Sequence, residues 1–292
     1  MANTIGTSTL SETWRIKYMK STLETNLRKA MVSRAIFNVD ESGLFYIANP
    51  YGNQPTASVA AVAGTYAVSN VTTTDDTLTV TEQVTYGEHI FEFEQLCARV
   101  DLWMSRVDEL SYAVAQRADA WVLNEVMANA GQNYTTPTGG FTTAANFLTI
   151  LANLLSKVAG FSEAYKGTFL VVENTDLAGI IPAMGSNGFS MADAVLRNGF
   201  VNSYMGVDIY VVRTGTFIDA TTTTASGTKT WTNNGSRLFG VKNVATYACP
   251  GGINVDEKKV TAKTGKELSV WMNIGAKVWT PKANLIVEVI LA

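Results

Sequence analysis

Hydrophobic positions change their period several times along this chain, and each change marks an element. Residues 1–20 are rich in Thr and Ser with scattered apolar anchors at Ile5, Leu10, Trp14, Ile16 and Tyr18. That pattern suits an arm lying extended against another surface rather than a segment with its own core. Ser21 and Glu24 have the spacing of a capping box, and Leu23, Leu27, Ala30, Met31 and Arg34 follow at helical steps, which predicts a short helix over 22–36. From 44 to 94 the chain turns to Val, Thr, Tyr and Phe punctuated by Gly and Asn, with alternation at Leu78 and Val80 and again from Ile90 to Phe93. Residues 72–77 form a polar break inside this β-prone stretch, so the flanking runs are expected to pair as a long antiparallel hairpin with little core of its own. The period then becomes helical. Leu96, Val100, Trp103, Val107, Leu110, Val114, Ala118 and Trp121 recur at steps of three and four, with Arg99, Asp101, Arg106, Asp108 and Arg117 on other faces. One amphipathic helix over 95–130 would measure roughly 50 Å at 1.5 Å per residue, long enough to act as a spine.

Asn, Thr, Pro and Gly in residues 131–140 end that helix, and a second apolar helix is expected over 147–158. Phe169, Leu170, Val171 and Val172 make a wholly apolar run bounded by Gly167 and Asn174, followed by Thr175 and Asp176 as a cap for a helix over 177–184. Residues 207–212 read as another buried strand, so the middle of the chain is α+β or α/β. Residues 219–236 are Thr-rich and poor in apolar side chains, with Asn234 and Gly235 as a turn signal, and predict a projecting loop or hairpin. A strand returns over 239–247. Residues 267–292 read as two strands joined near Pro281, the first alternating at Leu268, Val270, Met272 and Ile274. No fixed-period internal repeat is visible, which excludes solenoids and propellers.

Composition narrows the function. With 292 residues and 47% hydrophobic content the chain can bury a large core, while charged residues make up only 16%. A surface that poor in charge suggests neutral polar coverage or contact with other subunits. The 22 basic and 25 acidic side chains leave a net charge of −3, so no global field holds nucleic acid by neutralising phosphates. Two cysteines, Cys97 and Cys249, cannot build a disulfide framework, and a reduced, cytoplasmic site of synthesis is expected. The N-terminus lacks the basic and apolar regions of a secretory signal, and no apolar run reaches the length of a membrane span.

The order of parts resembles the HK97-like fold of the major capsid proteins of tailed double-stranded DNA phages. MANTIG with LETNLRKAMVSRAIFNVD is similar to the arm and first helix of phage coats, and FEFEQLCARVDLWMSRVDELSYAVAQRADAWVLNEV to their strand leading into the spine helix. Ala115-Gln116-Arg117-Ala118-Asp119 stands where that family has a small-residue stretch and an Asp. FLVVENTDLAGIIP, GFVNSYMGVDIYVVRTG and LSVWMNIGAKVWTPKANLIVEV resemble, in order, the family's strand and helix, its turn before a strand, and the closing strands of its peripheral domain. The resemblance implies an α+β chain divided into an N-terminal arm and short helix (1–43), an extended β-hairpin loop (44–94), a peripheral domain with the spine helix (95–140 and 262–292) and an axial domain (141–261). It further implies hexamers and pentamers closing an icosahedral shell around the genome, with portal and scaffolding proteins, a decoration protein and weak nonspecific contact with packaged DNA as expected partners. The expected location is the virion. One relative crosslinks its subunits through a Lys in the extended loop, but residues 44–94 contain no Lys. An encapsulin-type nanocompartment shell shares the fold and is the alternative.

The residues themselves offer little for catalysis. A single histidine, His89, would have to serve any Ser/His or Cys/His scheme, with no nucleophile elbow beside it. One His and two distant Cys supply no zinc site, and neither a dinucleotide fingerprint nor a phosphate loop occurs. The acidic pairs Asp75/Asp76, Asp256/Glu257 and Glu92/Glu94 suit turns and solvated strand faces. Lys258, Lys259, Lys263 and Lys266 form the one basic cluster, read as a solvated loop or a contact for a neighbouring subunit or DNA. No catalytic, cofactor-binding or metal-binding residue is assigned, no cofactor is implied, and the protein is expected not to be an enzyme.

Overall fold

The computed structural model describes residues 21–22, 31–52, 72–90, 102–161, 166–186, 200–217, 219–223, 229–232, 235–259 and 265–292. Strands predominate: a four-residue helix α1 (Ser33–Ile36) leads into β1 (Asn38–Asp40), and β2 (Tyr46–Gly52) pairs antiparallel with β3 (Thr73–Thr79). β4 (Glu82–Ile90) precedes the spine helix α2 (Leu102–Ala128), whose 27 residues span roughly 40 Å. β5 (Gln132–Thr135), α3 (Ala144–Val158), β6 (Thr168–Glu173) and α4 (Leu177–Ser186) follow. The second half is nearly all strand: β7 (Phe200–Tyr204), β8 (Val207–Val212), β9 (Asp219–Thr223), β10 (Lys229–Thr232), β11 (Ser236–Val241), β12 (Ala245–Ala248), β13 (Ile253–Lys259), β14 (Lys266–Val278) and β15 (Ile286–Ile290).

Two sheets carry the body. The larger has the order β5-β15-β11-β6-β8-β7, and its central strands β6 and β11 are buried along their whole length, as their apolar composition requires. The other runs β1-β12-β14-β13, with β4 also paired to β14. The spine helix packs on β14, β15 and β11, and so bridges the two sheets. Its buried side chains include Leu110, Val114, Ala118 and Trp121, the stripe expected from the sequence, together with Leu123, Val126 and Met127. The part of the expected helix over 95–130 that precedes Leu102 lies outside the described residues, as do the expected arm over 1–20 and most of the expected helix over 22–36.

Three expectations change. The polar break at 72–77 is mostly strand: Asp76, the residue least suited to β structure, sits in β3 because Thr280 N–H and Lys277 satisfy it. Residues 131–140 contain β5, which adds parallel to β15. The expected single strand over 239–247 is two strands in different sheets, separated by a turn in which Asn243 takes φ 58°. The two closing strands joined near Pro281 are present as β14 and β15, and the 3-10 turn Thr280–Leu285 carries the chain from one sheet to the other. The Thr-rich stretch does form a hairpin, β9 with β10, standing as a separate two-stranded sheet.

Candidate assembly surfaces

Exposed apolar side chains gather where the projecting hairpin leaves the body. Leu44, Phe45 and Tyr46 are consecutive and each more than half exposed, at 58%, 55% and 58%. Three neighbouring large side chains left in water signal a surface that another molecule covers. Beyond them β2 and β3 have little buried area except at Asp76 and Leu78. Tyr112 on the spine helix, Ile181 on α4 and Met205 in the β7–β8 turn are further exposed apolar points.

The elements that present these surfaces are tied down by charge and hydrogen bonds. Glu88 on β4 takes a bidentate pair from Arg106 of the spine helix, with Nη2 to Oε1 at 2.6 Å and Nε to Oε2 at 3.2 Å, and Arg106 also reaches Glu109. The fork geometry fixes the strand against the first turns of the helix. Asp119, buried on the inner face of the spine helix, accepts the backbone N–H of Ser33 at 2.7 Å and of Val32 at 3.1 Å. Those two amides open α1, so Asp119 anchors the N-terminal segment to the spine. The sequence comparison singled out this Asp by its place in a small-residue stretch; its role is capping. Burial raises the Asp119 pKa, against the lowering effect of its bonds to Ser33 and Val32.

Replacing Asp119 with alanine should lower stability by about 1–3 kcal/mol, because two buried amides lose their acceptor. The sign of the pH dependence follows from the raised folded value. The carboxyl's titration stabilises the fold fully below the ordinary carboxylate range near pH 4, and that contribution is lost as the pH rises through the folded value. The deficit of the alanine variant in denaturant titrations should therefore widen on acidification through that window.

The candidates for chemistry are scattered. His89 is half-buried on β4, in register with Glu267 of β14, as a strand residue. Asp76 binds Lys277 at 3.2 Å and the Thr280 N–H at 2.7 Å, while Asp75 is exposed on the neighbouring position. Asp256 pairs with Lys258 at 3.0 Å, and the buried Glu257 pairs with Lys266. Two lysines of the basic cluster are thus neutralised within the β13–β14 hairpin, which weakens the cluster as a phosphate contact. Lys263, Glu92, Glu94 and Cys97 lie outside the described residues. Cys249 is a buried free thiol whose pKa burial pushes up, so it is unreactive. Among the described residues no group of three or more His, Cys, Asp and Glu is placed to hold a metal, and no helix is long and apolar enough to cross a membrane.

A buried ion network, invisible to motif reading, organises the larger sheet. Arg237 on β11 reaches Asp176 at 2.5 Å and Glu173 at 3.2 Å, and Glu173 accepts the N–H of Gly215 at 3.0 Å and of Phe217 at 3.3 Å. Arg and acid residues this far apart in sequence give no local signal; only the β6–β11 pairing brings them together.

The fold recurs among solved capsid structures. The capsid of cyanophage P-SCSP1u superposes with a TM-score of 0.65 over 91% of this chain and 89% of that one, at 11% identity. This chain has the HK97-like capsid fold. The capsid subunit of the empty GTA particle matches with a TM-score of 0.64 over 91% of both chains at 14% identity. A virus-like particle from Pyrococcus furiosus matches at 0.63, covering 94% of this chain and 99% of that one at 10% identity. No protein-family model matches the chain, and no curated protein matches it. At such identities the capsid fold is held by burial pattern and topology, with few side chains in common. Leu44–Tyr46 is exposed at the start of β2, and Asp119 of the spine helix holds the chain at Val32 and Ser33.

Proposed function

We propose that this chain is the major capsid protein of a tailed double-stranded DNA phage, a structural subunit that self-assembles into hexamers and pentamers of an icosahedral shell. The observation that carries the reading is the extent of coverage by capsid subunits: about nine-tenths of this chain and of the cyanophage and GTA chains superpose. The surface supports it. Leu44, Phe45 and Tyr46 are exposed on a hairpin that cannot bury them within its own subunit, and a shell supplies the missing cover. Glu88 with Arg106, Arg237 with Glu173 and Asp176, and Asp76 with Lys277 are engaged in structural pairs, which supports a role other than catalysis.

In this reading residues 1–43 are the arm and short helix, 44–94 the extended loop, 95–140 and 262–292 the peripheral domain, and 141–261 the axial domain. The larger sheet joins the last two, since β5 and β15 complete a sheet whose other strands come from the axial part. Its working location is the virion, after synthesis in the host cytoplasm, with portal, scaffolding and decoration proteins as partners and only weak contact with DNA. A second reading, an encapsulin-type shell around a cargo protein, is supported by the 99% coverage of the Pyrococcus furiosus virus-like particle subunit.

The purified protein should form closed shells, rings of five or six, or sheets in negative-stain electron microscopy, and elute ahead of a 31.5 kDa monomer in size-exclusion chromatography. A monomer at every concentration, even with a candidate scaffolding protein added, contradicts both shell readings.

A further inference from the structure

Among the described residues the projecting hairpin meets the body at a small hydrophobic cluster and the polar contacts beside it. Leu78 of β3, Ala248 of β12 and Trp279 form a hydrophobic cluster apart from the main core, with Ile47 and Val80 packed against it. The Trp279 indole N–H donates to Thr246 Oγ1 at 2.9 Å, which fixes the ring. Beside this cluster Asp76, 7% exposed, takes the Thr280 N–H at 2.7 Å and Lys277 at 3.2 Å. Below it the chain at Val80 lies against Gly275 of β14, where a Cβ would stand 3.1 Å from Val80 Cα and 3.2 Å from the Thr79 carbonyl oxygen. Every partner on the body side lies between 246 and 280, where β14 ends and the chain crosses to the larger sheet. Outward of this contact β2 and β3 are largely exposed.

We infer that Asp76, Leu78, Trp279 and Gly275 form a joint that holds the hairpin at a set angle to the body, and that this angle fixes the geometry at which the exposed outer part of β2 and β3 meets a second copy of the chain. The inference rests on the shell reading and adds the residues that control subunit geometry. These are positioning residues. A two-stranded ribbon has no independent stability, so its direction is decided wherever side chains clamp it to a larger body. Here the clamp combines a buried ring, a charge-assisted bond and a close backbone approach at three successive heights, which leaves no free pivot.

Asp76→Ala, Asp76→Asn and Lys277→Gln test it in the full chain. Amide exchange in 73–79 should speed up by about tenfold or more in Asp76→Ala, while exchange in β6 and β11 stays unchanged. Asp76→Asn keeps an oxygen for the Thr280 N–H and should restore much of the protection; Lys277→Gln removes only the ion pair and should give a small effect. In assembly reactions the alanine variant should give shells of mixed size or open sheets where the unaltered chain gives closed shells. Unchanged exchange in 73–79, or faster exchange with shells of unaltered diameter and yield, overturns the joint. Should Asp76→Ala fail to fold, Lys277→Gln and Asp76→Asn carry the same comparison. Failure of the unaltered chain to assemble overturns the shell reading, and the assembly role of the joint with it, whereas the exchange measurement reports separately on the clamp.

Discussion

Arg237→Ala is expected to lower the unfolding free energy by about 3–5 kcal/mol, the cost of leaving buried charge without its partner. The guanidinium donates through Nε to Asp176 at 2.5 Å, through Nη2 to Glu173 at 3.2 Å and through Nη1 to the Ser236 carbonyl at 2.8 Å. It also lies 5.8 Å from the centre of the Phe217 ring. Glu173 and Asp176 are 1% exposed, so neither can turn to water when the cation is removed. Their remaining donors are backbone amides: Gly215, Phe217 and Asp176 for Glu173, and the Glu173 N–H itself for Asp176. Four amide dipoles do not replace a full positive charge in a site of low polarity. Arg237→Met would refill the volume and still leave the carboxylates uncompensated, so it should recover only part of the loss. Denaturant titrations of both variants check this; a fall below about 1 kcal/mol in Arg237→Ala would mean that the network contributes no more than a surface pair.

Gly179→Ala should be the next most damaging single change, at about 1–3 kcal/mol or more, because no side chain can yield to make room. A Cβ on Gly179 would stand 2.2 Å from the Phe141 carbonyl oxygen and 2.5 Å from the Thr142 carbonyl carbon and oxygen. Those atoms are backbone of the 3-10 turn Gly140–Thr142, itself buried at Gly140 and Phe141, so α4 would have to lift away from the turn. Gly160 is the control. It has open space around its missing Cβ and no positive φ, so Gly160→Ala should be neutral within about 0.5 kcal/mol. Thermal melts of the two variants side by side separate close packing from any general intolerance of alanine near α3 and α4.

Patterned elements were legible in advance. The spine helix shows itself by a stripe at helical steps, and Leu110, Val114, Ala118 and Trp121 all face the core. The buried strand after Gly167 shows itself by four consecutive apolar residues, and the Thr-rich hairpin by composition and its turn residues. The cap at Asp176 was also visible, although its partner in the capping box is Glu173. Position 119 stood out only by its setting among small residues, and nothing local told that it would bind α1. Asp76 was misread because an acidic pair between Thr residues has the composition of a turn; its stabilising partners lie about two hundred positions away in sequence.

Amino-acid order alone therefore determined most of the helices and strands, that the chain is α+β, and that the β2–β3 hairpin has little core of its own. These follow from side-chain periodicity and backbone preference, which act over a few residues. Tertiary structure decided which strands share a sheet. It placed β14 and β15 in different sheets, drew β5 to the edge of the larger one, set Arg237 between Glu173 and Asp176, and brought Trp279 under Leu78. Those outcomes depend on satisfying buried polar groups and filling volume between distant segments, and such long-range terms leave no mark in any short window of sequence.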